Sequence, residues 1–205
     1  ELRRFYTFGI SESALSDKLD AAPWPAGIEL GYRSSMPLIE LKLIGHSASA
    51  ADMDAAEARL LGEITPWLVG QGNEEPAQQI LSLLGARPLY LQEGESRGAL
   101  LAMCHPHPGL EASFSHNLPS ELDQLTGGGQ EPCLTIGNAG PGGVPLLLCA
   151  DGQRIGQQVK LSHPDPESGR RILAFAALDM LRRHLQGLPV LADYLTLTRT
   201  ASRID

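Results

Sequence analysis

The sequence predicts an α/β chain in two parts, a small α+β domain over residues 1–72 and a larger α/β domain over residues 73–205. Three observations carry this reading. The first 70 residues alternate short apolar runs with helical periodicity in the order β-α-β-β-α. A polar, glycine-containing stretch, GQGNEE at residues 70–75, follows as a linker candidate. Further on, the apolar run VPLLLCA at residues 144–150 precedes a long helical pattern at 168–186, a core strand and a helix to cover it.

The elements follow in order. Residues 2–7 suit a short strand, and Ser11 can cap a helix that carries Leu15 and Leu19 one turn apart. Pro23 and Pro25 stiffen the turn that ends it. Residues 28–34 and 38–44 read as strands, the second alternating apolar and polar in its latter half. Residues 52–67 have helical spacing, with Met53, Ala56, Leu60, Ile64 and Trp67 in one stripe. Beyond the linker, Pro76 opens a helix with Ile80, Leu83 and Leu84 on one side. Residues 88–92 predict a strand and 96–103 a helix. Residues 104–130 show no periodicity and end in a TGGG tract. Residues 133–136 predict a buried strand, GNAGPGG a loop, and Asp151-Gly152 the turn of a hairpin whose second arm is 155–161. In the last helix Ala174, Ala177, Leu178, Leu181 and Leu185 form one apolar face. Arg182, Arg183 and His184 sit in its final turn, where the helix dipole favours positive charge, before the stop at Gly187.

The formal charge of -8 and a pI near 5.2 exclude bulk binding to nucleic acid or to anionic membrane surfaces. No apolar run approaches the roughly 20 residues of a membrane span, and no apolar region follows Arg3 and Arg4 as a signal peptide requires. The start at Glu1 rather than Met predicts a fragment or processed product. Cys104, Cys133 and Cys149 are odd in number and form no C-x-x-C, which predicts buried free thiols in a cytoplasmic protein.

Four segments offer chemistry. GESRG, residues 94–98, fits the G-x-S-x-G elbow of serine hydrolases, with Ser96 as nucleophile. A lipase-type triad would have to draft Asp151 or Asp165 and then His184 from too short a chain, and the other reading is a serine capping the next helix. His105 and His107, at i and i+2 in CHPHP, are half of a metal site or a solvent loop, and no companion ligands have metal-site spacing. No metal or cofactor is therefore expected. The glycines of residues 137–143 either let backbone N–H groups approach an anion or make a tight reversal. Arg170 and Arg171 near a helix start oppose its dipole, so they face the nearby acids Asp165 and Glu167 or a bound phosphate.

FYTFGISESALSDKL and GIELGYRSSMPLIELKL at the front resemble the middle domain of the CinA family of competence/damage-inducible proteins, through T-F-G-x-x-E-S-x-L and then G-Y-R-S. The details are most similar to a CinA-like subgroup often labelled YfaY. The resemblance implies a preceding nucleotide-hydrolase domain in the full-length protein and a homodimer. It also implies that residues 73–205 form a three-layer α/β/α deamidase-like domain, whose family reaction converts nicotinamide mononucleotide to the nicotinate nucleotide and ammonia.

Laid on the family's nucleophile motif A-E-S-C-T-G-G-L-L-A without gaps, EGESRGALLA puts Glu95 at the catalytic serine and Ser96 one position later. The family's assisting tyrosine and lysine have no counterpart, since Phe114 is the one aromatic between Met103 and Cys133 and no lysine lies there. TIGNAGPGG resembles the family's nucleotide loop, which implicates Gly137, Asn138, Gly140, Gly142 and Gly143, and Arg170-Arg171 resembles its paired arginines. Two functions follow from the resemblance. One is a catalytically degenerate domain with a structural, assembly or nucleotide-sensing role. The other is an active deamidase using Ser96 in a shifted register.

Overall fold

The computed structural model describes residues 1–205 apart from 128, 130 and 162, so Gly128 of the TGGG tract lies outside the described residues. The chain divides into two compact units, Glu1–Pro76 with Tyr194–Thr196, and Ala77–Asp193 with Leu197–Asp205.

The first unit is an antiparallel sheet of order β2-β3-β1-β4. It runs β1 (Leu2–Phe8), α1 (Glu12–Leu19), β2 (Ile28–Ser35), β3 (Leu38–Gly45), α2 (Ala50–Ile64), a 3₁₀ turn (Thr65–Trp67) and β4 (Leu68–Gln71). Local chemistry sets the helix starts. Ser11 Oγ accepts the Ala14 N–H at 3.2 Å, and Ser49 and Asp52 form a reciprocal capping box before α2. Phe5, Leu41 and Leu43 from the sheet meet Leu15, Leu19, Met53, Leu60 and Ile64 from the helices in one buried core. The helical stripe ends one position early. Pro66 brings no N–H to continue α2, the chain tightens to 3₁₀, and Trp67 stays half-buried. Gly70 and Gln71 belong to β4 and pair with Tyr6 and Phe5, inside the stretch that reads as linker.

Arg59 of α2 fastens the loop after α1. Its guanidinium donates to the carbonyls of Leu19 at 3.3 Å, Ala22 at 2.7 Å and Pro23 at 2.8 Å, and lies 4.1 Å over the Trp24 ring. Only a planar fork reaches three carbonyls while stacking. Arg59→Ala is expected to cost about 2 kcal/mol in chemical denaturation, and Arg59→Lys to recover less than half of that.

The second unit contains α3 (Pro76–Leu84), β5 (Leu89–Glu93), α4 (Ala99–Cys104), β6 (Leu110–Phe114), a 3₁₀ turn (Leu122–Gln124), β7 (Cys133–Ile136), β8 (Val144–Ala150), β9 (Gln153–Lys160), α5 (Pro166–Leu185) and β10 (Thr198–Ile204). Its sheet has the order β10-β9-β8-β7-β5-β6 and is mixed, with β6 and β7 parallel to β5 and the other pairs antiparallel. Every residue of β8 is buried, as a central strand covered on both faces requires. On one face α5 packs against β7 and β8, and α4 packs against α5 and β5. On the other, Leu125 closes over Cys133, Leu147 and Cys149, while a Cβ on Gly156 would lie 2.6 Å from the Leu122 side chain. The unit is thus an α/β fold in which the connection from β6 to β7, residues 115–132, crosses the sheet with a single 3₁₀ turn among its described residues.

Several details differ from expectation. Leu81, not Leu83, joins Ile80 and Leu84 in the core, and Leu83 is exposed. The helix expected from Ser96 begins at Ala99. Helix α5 is buried on nearly all sides from Ile172 to Arg182 rather than along one stripe, and Leu185 is half-buried. No helix among the described residues is long and apolar enough to cross a membrane.

Candidate functional site

Strand β5 runs out into GESRG, and that turn stays attached to the sheet. Gly94 donates to the Ile136 carbonyl at 2.8 Å and Glu95 to the Gly137 carbonyl at 3.1 Å. Gly94 is required by the closeness of this approach, because a Cβ there would stand 2.6 Å from Asn138 Oδ1. Arg97 and Gly98 then take left-handed conformations (φ 49° and 93°) that reverse the chain into α4.

The first amides of a helix have no acceptor within it. Here Glu93, 1% exposed at the end of β5, supplies one from outside. Its carboxylate accepts the N–H groups of Gly98 (3.0 Å), Leu100 (3.1 Å) and Leu101 (2.8 Å). Ser96 Oγ is the fourth donor, at 2.6 Å, and Ser96 is itself 1% exposed. The serine hydroxyl is therefore turned into the protein, with its proton on a carboxylate whose other contacts hold the turn together. Among the described residues no tyrosine, lysine or histidine hydrogen-bonds to it. Burial, reinforced by the charge of Glu93, pushes the nearby Cys104 thiol up to about 12, so that group stays protonated and inert at neutral pH.

Glu95 lies elsewhere. It is partly exposed and lines a cleft of about 400 Å³ with Gly140, Gly143, Lys160, His163 and Arg170, walled by Val144, Val159 and Leu173. The cleft thus gathers Glu95, Gly140, Gly143 and Arg170 from the expected site residues. Gly137, Asn138, Gly142 and Arg171 are not among the groups lining it, Arg171 being exposed, and Ser96 is buried apart from it. Asn138 braces the crossover instead, donating through Nδ2 to the carbonyls of His116 (2.9 Å) and Leu118 (2.6 Å).

The glycine loop is folded on itself. Gly137 N–H donates to Pro145 O, Asn138 N–H to Pro119 O, and Gly140 and Gly143 exchange hydrogen bonds at 2.9 and 3.0 Å. Gly143 has φ 111° and passes so near β9 that a Cβ would meet the Val159 carbonyl at 2.2 Å. Ala139 N–H points to Glu95 Oε2 at 3.4 Å. With these amides engaged, recognition of a charged ligand in the cleft falls to side chains.

Those side chains are available. The acids offered by the sequence as partners for Arg170 are committed or distant: Asp165 caps α5, accepting from Ser168 N (2.9 Å), Ser168 Oγ (2.6 Å) and Glu167 N (3.3 Å). The Ser168 hydroxyl, then its backbone N–H, hold the Asp165 carboxyl below the usual aspartate range. Among the described residues, neither Arg170 nor Lys160 has a carboxylate within 4 Å in an ion pair, and Glu95 has no cation so close. Lys160 and His163 carry no signal in the sequence. Lys160 ends β9 and His163 lies in the loop before α5, and neither falls in a recognisable motif.

His107 Nε2 lies 2.8 Å from the Arg87 carbonyl oxygen, and the His105 carbonyl accepts from Gln78 at 3.3 Å. Among the described residues no three His, Cys, Asp or Glu side chains converge as metal ligands do.

The strand ends, glycine loop and helix start of a mixed sheet thus enclose one concave cleft lined by charged groups. No protein-family model matches the chain. Individual relatives do. The CinA-like protein of Shewanella piezotolerans is 28% identical over 97% of this chain and 57% of its own length. That of Shewanella loihica is 29% identical over 98% and 58%. The nicotinamide-nucleotide amidohydrolase PncC of Shewanella oneidensis is 28% identical over 97% and 57%. The chain is thus similar to CinA-like proteins along nearly its whole length, and it spans 57–58% of the length of these relatives.

Proposed function

We propose that the second unit is a deamidase-like domain that binds a nicotinamide nucleotide without performing the serine chemistry, in a structural, assembly or nucleotide-sensing role. One observation carries the reading. The residue that faces the cleft from the nucleophile turn is Glu95, while the neighbouring Ser96 is buried with its hydroxyl on Glu93. A serine attacks only if its oxygen reaches the substrate as its proton leaves to a base, and Ser96 Oγ is buried away from the cleft even though Glu93 accepts its proton's hydrogen bond. Here Ser96 would have to abandon Glu93 and cross to the other side of its own backbone to meet a ligand. The relative named as a nicotinamide-nucleotide amidohydrolase supports the ligand class, and Arg170 and Lys160 supply the charge a phosphate requires.

The same relative's name favours a second reading, an active amidohydrolase using Ser96. Ammonia release from nicotinamide mononucleotide separates the two. Wild type and Ser96→Ala are both expected to remain at the uncatalysed background. Sustained release by the wild type that vanishes in Ser96→Ala would establish the second reading. In the full-length protein we place a nucleotide-hydrolase domain ahead of this chain, and a cytoplasmic homodimer as the assembly. The motif resemblance supports both.

A further inference from the structure

We infer that Glu95 makes the cleft selective for the amide form of a pyridine nucleotide over the acid form. This rests on the nucleotide-binding reading above. The cleft carries charges of both signs that do not pair with one another, Glu95 on the nucleophile turn and Lys160 and Arg170 at the end of β9 and the first turns of α5. Unpaired opposite charges lining one cleft fit a ligand that is itself dipolar. Nicotinamide mononucleotide is such a ligand, with a permanently cationic pyridinium ring at one end and a phosphate at the other.

With the phosphate on Arg170 and Lys160, the ring meets Glu95. The Glu95 carboxylate is oriented by the Ala139 N–H at 3.4 Å, and among the described residues no cation lies within ion-pair distance of it. It attracts the pyridinium of the amide nucleotide. The acid nucleotide carries an additional carboxylate on the same ring, which brings two like charges together beside the low-dielectric wall formed by Val144, Val159 and Leu173. Where a deamidase would convert one form into the other, this cleft distinguishes them.

Titration calorimetry of the intact 205-residue chain with nicotinamide mononucleotide and nicotinate mononucleotide tests the assignment. The wild type is expected to bind the amide at least about tenfold more tightly, since like charges in contact are strongly disfavoured. Glu95→Gln keeps the shape and an acceptor for Ala139, and is expected to bring the two affinities within about threefold. Arg170→Gln, at the phosphate end, is expected to weaken both nucleotides alike. Equal affinities in the wild type, or a ratio that survives Glu95→Gln, would overturn the selectivity and leave the nucleotide-binding reading standing. A loss in Arg170→Gln confined to one nucleotide would contradict the placement of the ring at Glu95. Failure of both nucleotides to bind would overturn the binding reading and this inference together.

Discussion

Replacing Glu93 with alanine is expected to cost the protein about 4 kcal/mol, because the change strips the acceptor from four hydrogen-bond donors at once. Three of these are backbone N–H groups at the start of α4 and the fourth is the Ser96 hydroxyl, and Leu100 and Ser96 are fully buried. No water replaces the carboxylate at groups so enclosed without opening the turn. Glu93→Gln is expected to cost about half as much, since the amide offers one acceptor oxygen but aims an NH₂ at donors. Ser96→Ala removes one donor, leaves the carboxylate with three, and is expected to cost about 1 kcal/mol. Denaturant unfolding followed by far-ultraviolet circular dichroism reads all three. The order Glu93→Ala, Glu93→Gln, Ser96→Ala is the signature of a structural turn. A Ser96→Ala protein as weak as Glu93→Ala would contradict it.

The second large effect lies in α5. Asp179 is 1% exposed and accepts from Arg182 Nε at 2.6 Å and Arg183 Nε at 3.0 Å. Arg182 is nearly as buried and also reaches Gln186 Oε1 at 2.8 Å. Removing one member of a buried ion group costs more than the group contributes, because it leaves an uncompensated charge out of water. Asp179→Asn is expected to destabilise by about 3–4 kcal/mol. Asp179→Asn combined with Arg182→Met is expected to recover much of that loss, since the buried cation goes with its partner. Losses that simply add in the double variant would show that the aspartate and arginine act independently.

The ease of reading each element from the sequence tracked its burial. Ser11 announces α1, the apolar run of β8 announces a strand covered on both faces, and the acid, proline and basic last turn of α5 mark its ends. The missed strands are those without a buried face to impose alternation. β4 is four residues with a glycine, and β6 (LEASF) and β10 (TRTASRI) are sheet edges with most side chains exposed. Edge strands are held mainly by backbone pairing, which side-chain patterns do not record. Leu81 and Leu83 were exchanged because a short helix with three leucines near its end fits two faces equally well.

The site was legible where residues are close in sequence and opaque where the fold gathers them. GESRG, the glycine loop and Arg170 stand out as motifs, and the structure brings Glu95, Gly140, Gly143 and Arg170 to one cleft. Lys160 and His163 join them only because the β8–β9 hairpin returns to the start of α5. Which of Glu95 and Ser96 faces the cleft depends on how the turn is tied down. The decisive partner is Glu93, whose spacing E-x-x-S resembles many polar strand ends. The glycines of the loop are legible as a demand for room, and the room is taken by the protein itself, by backbone at Gly137 and Gly143 and by the Ser120 and Gln158 side chains at Gly140 and Gly142.

The central claim is that the cleft holds a nucleotide against Glu95 while Ser96 stays out of reach. Ammonia release measured on the intact chain with nicotinamide mononucleotide, at concentrations where calorimetry shows the cleft filled, tests it most directly. The cleft is expected to be occupied with no release above background, in the wild type and in Ser96→Ala alike. Turnover by the wild type that disappears in Ser96→Ala would contradict it, and would mean that Ser96 leaves Glu93 to reach the ligand.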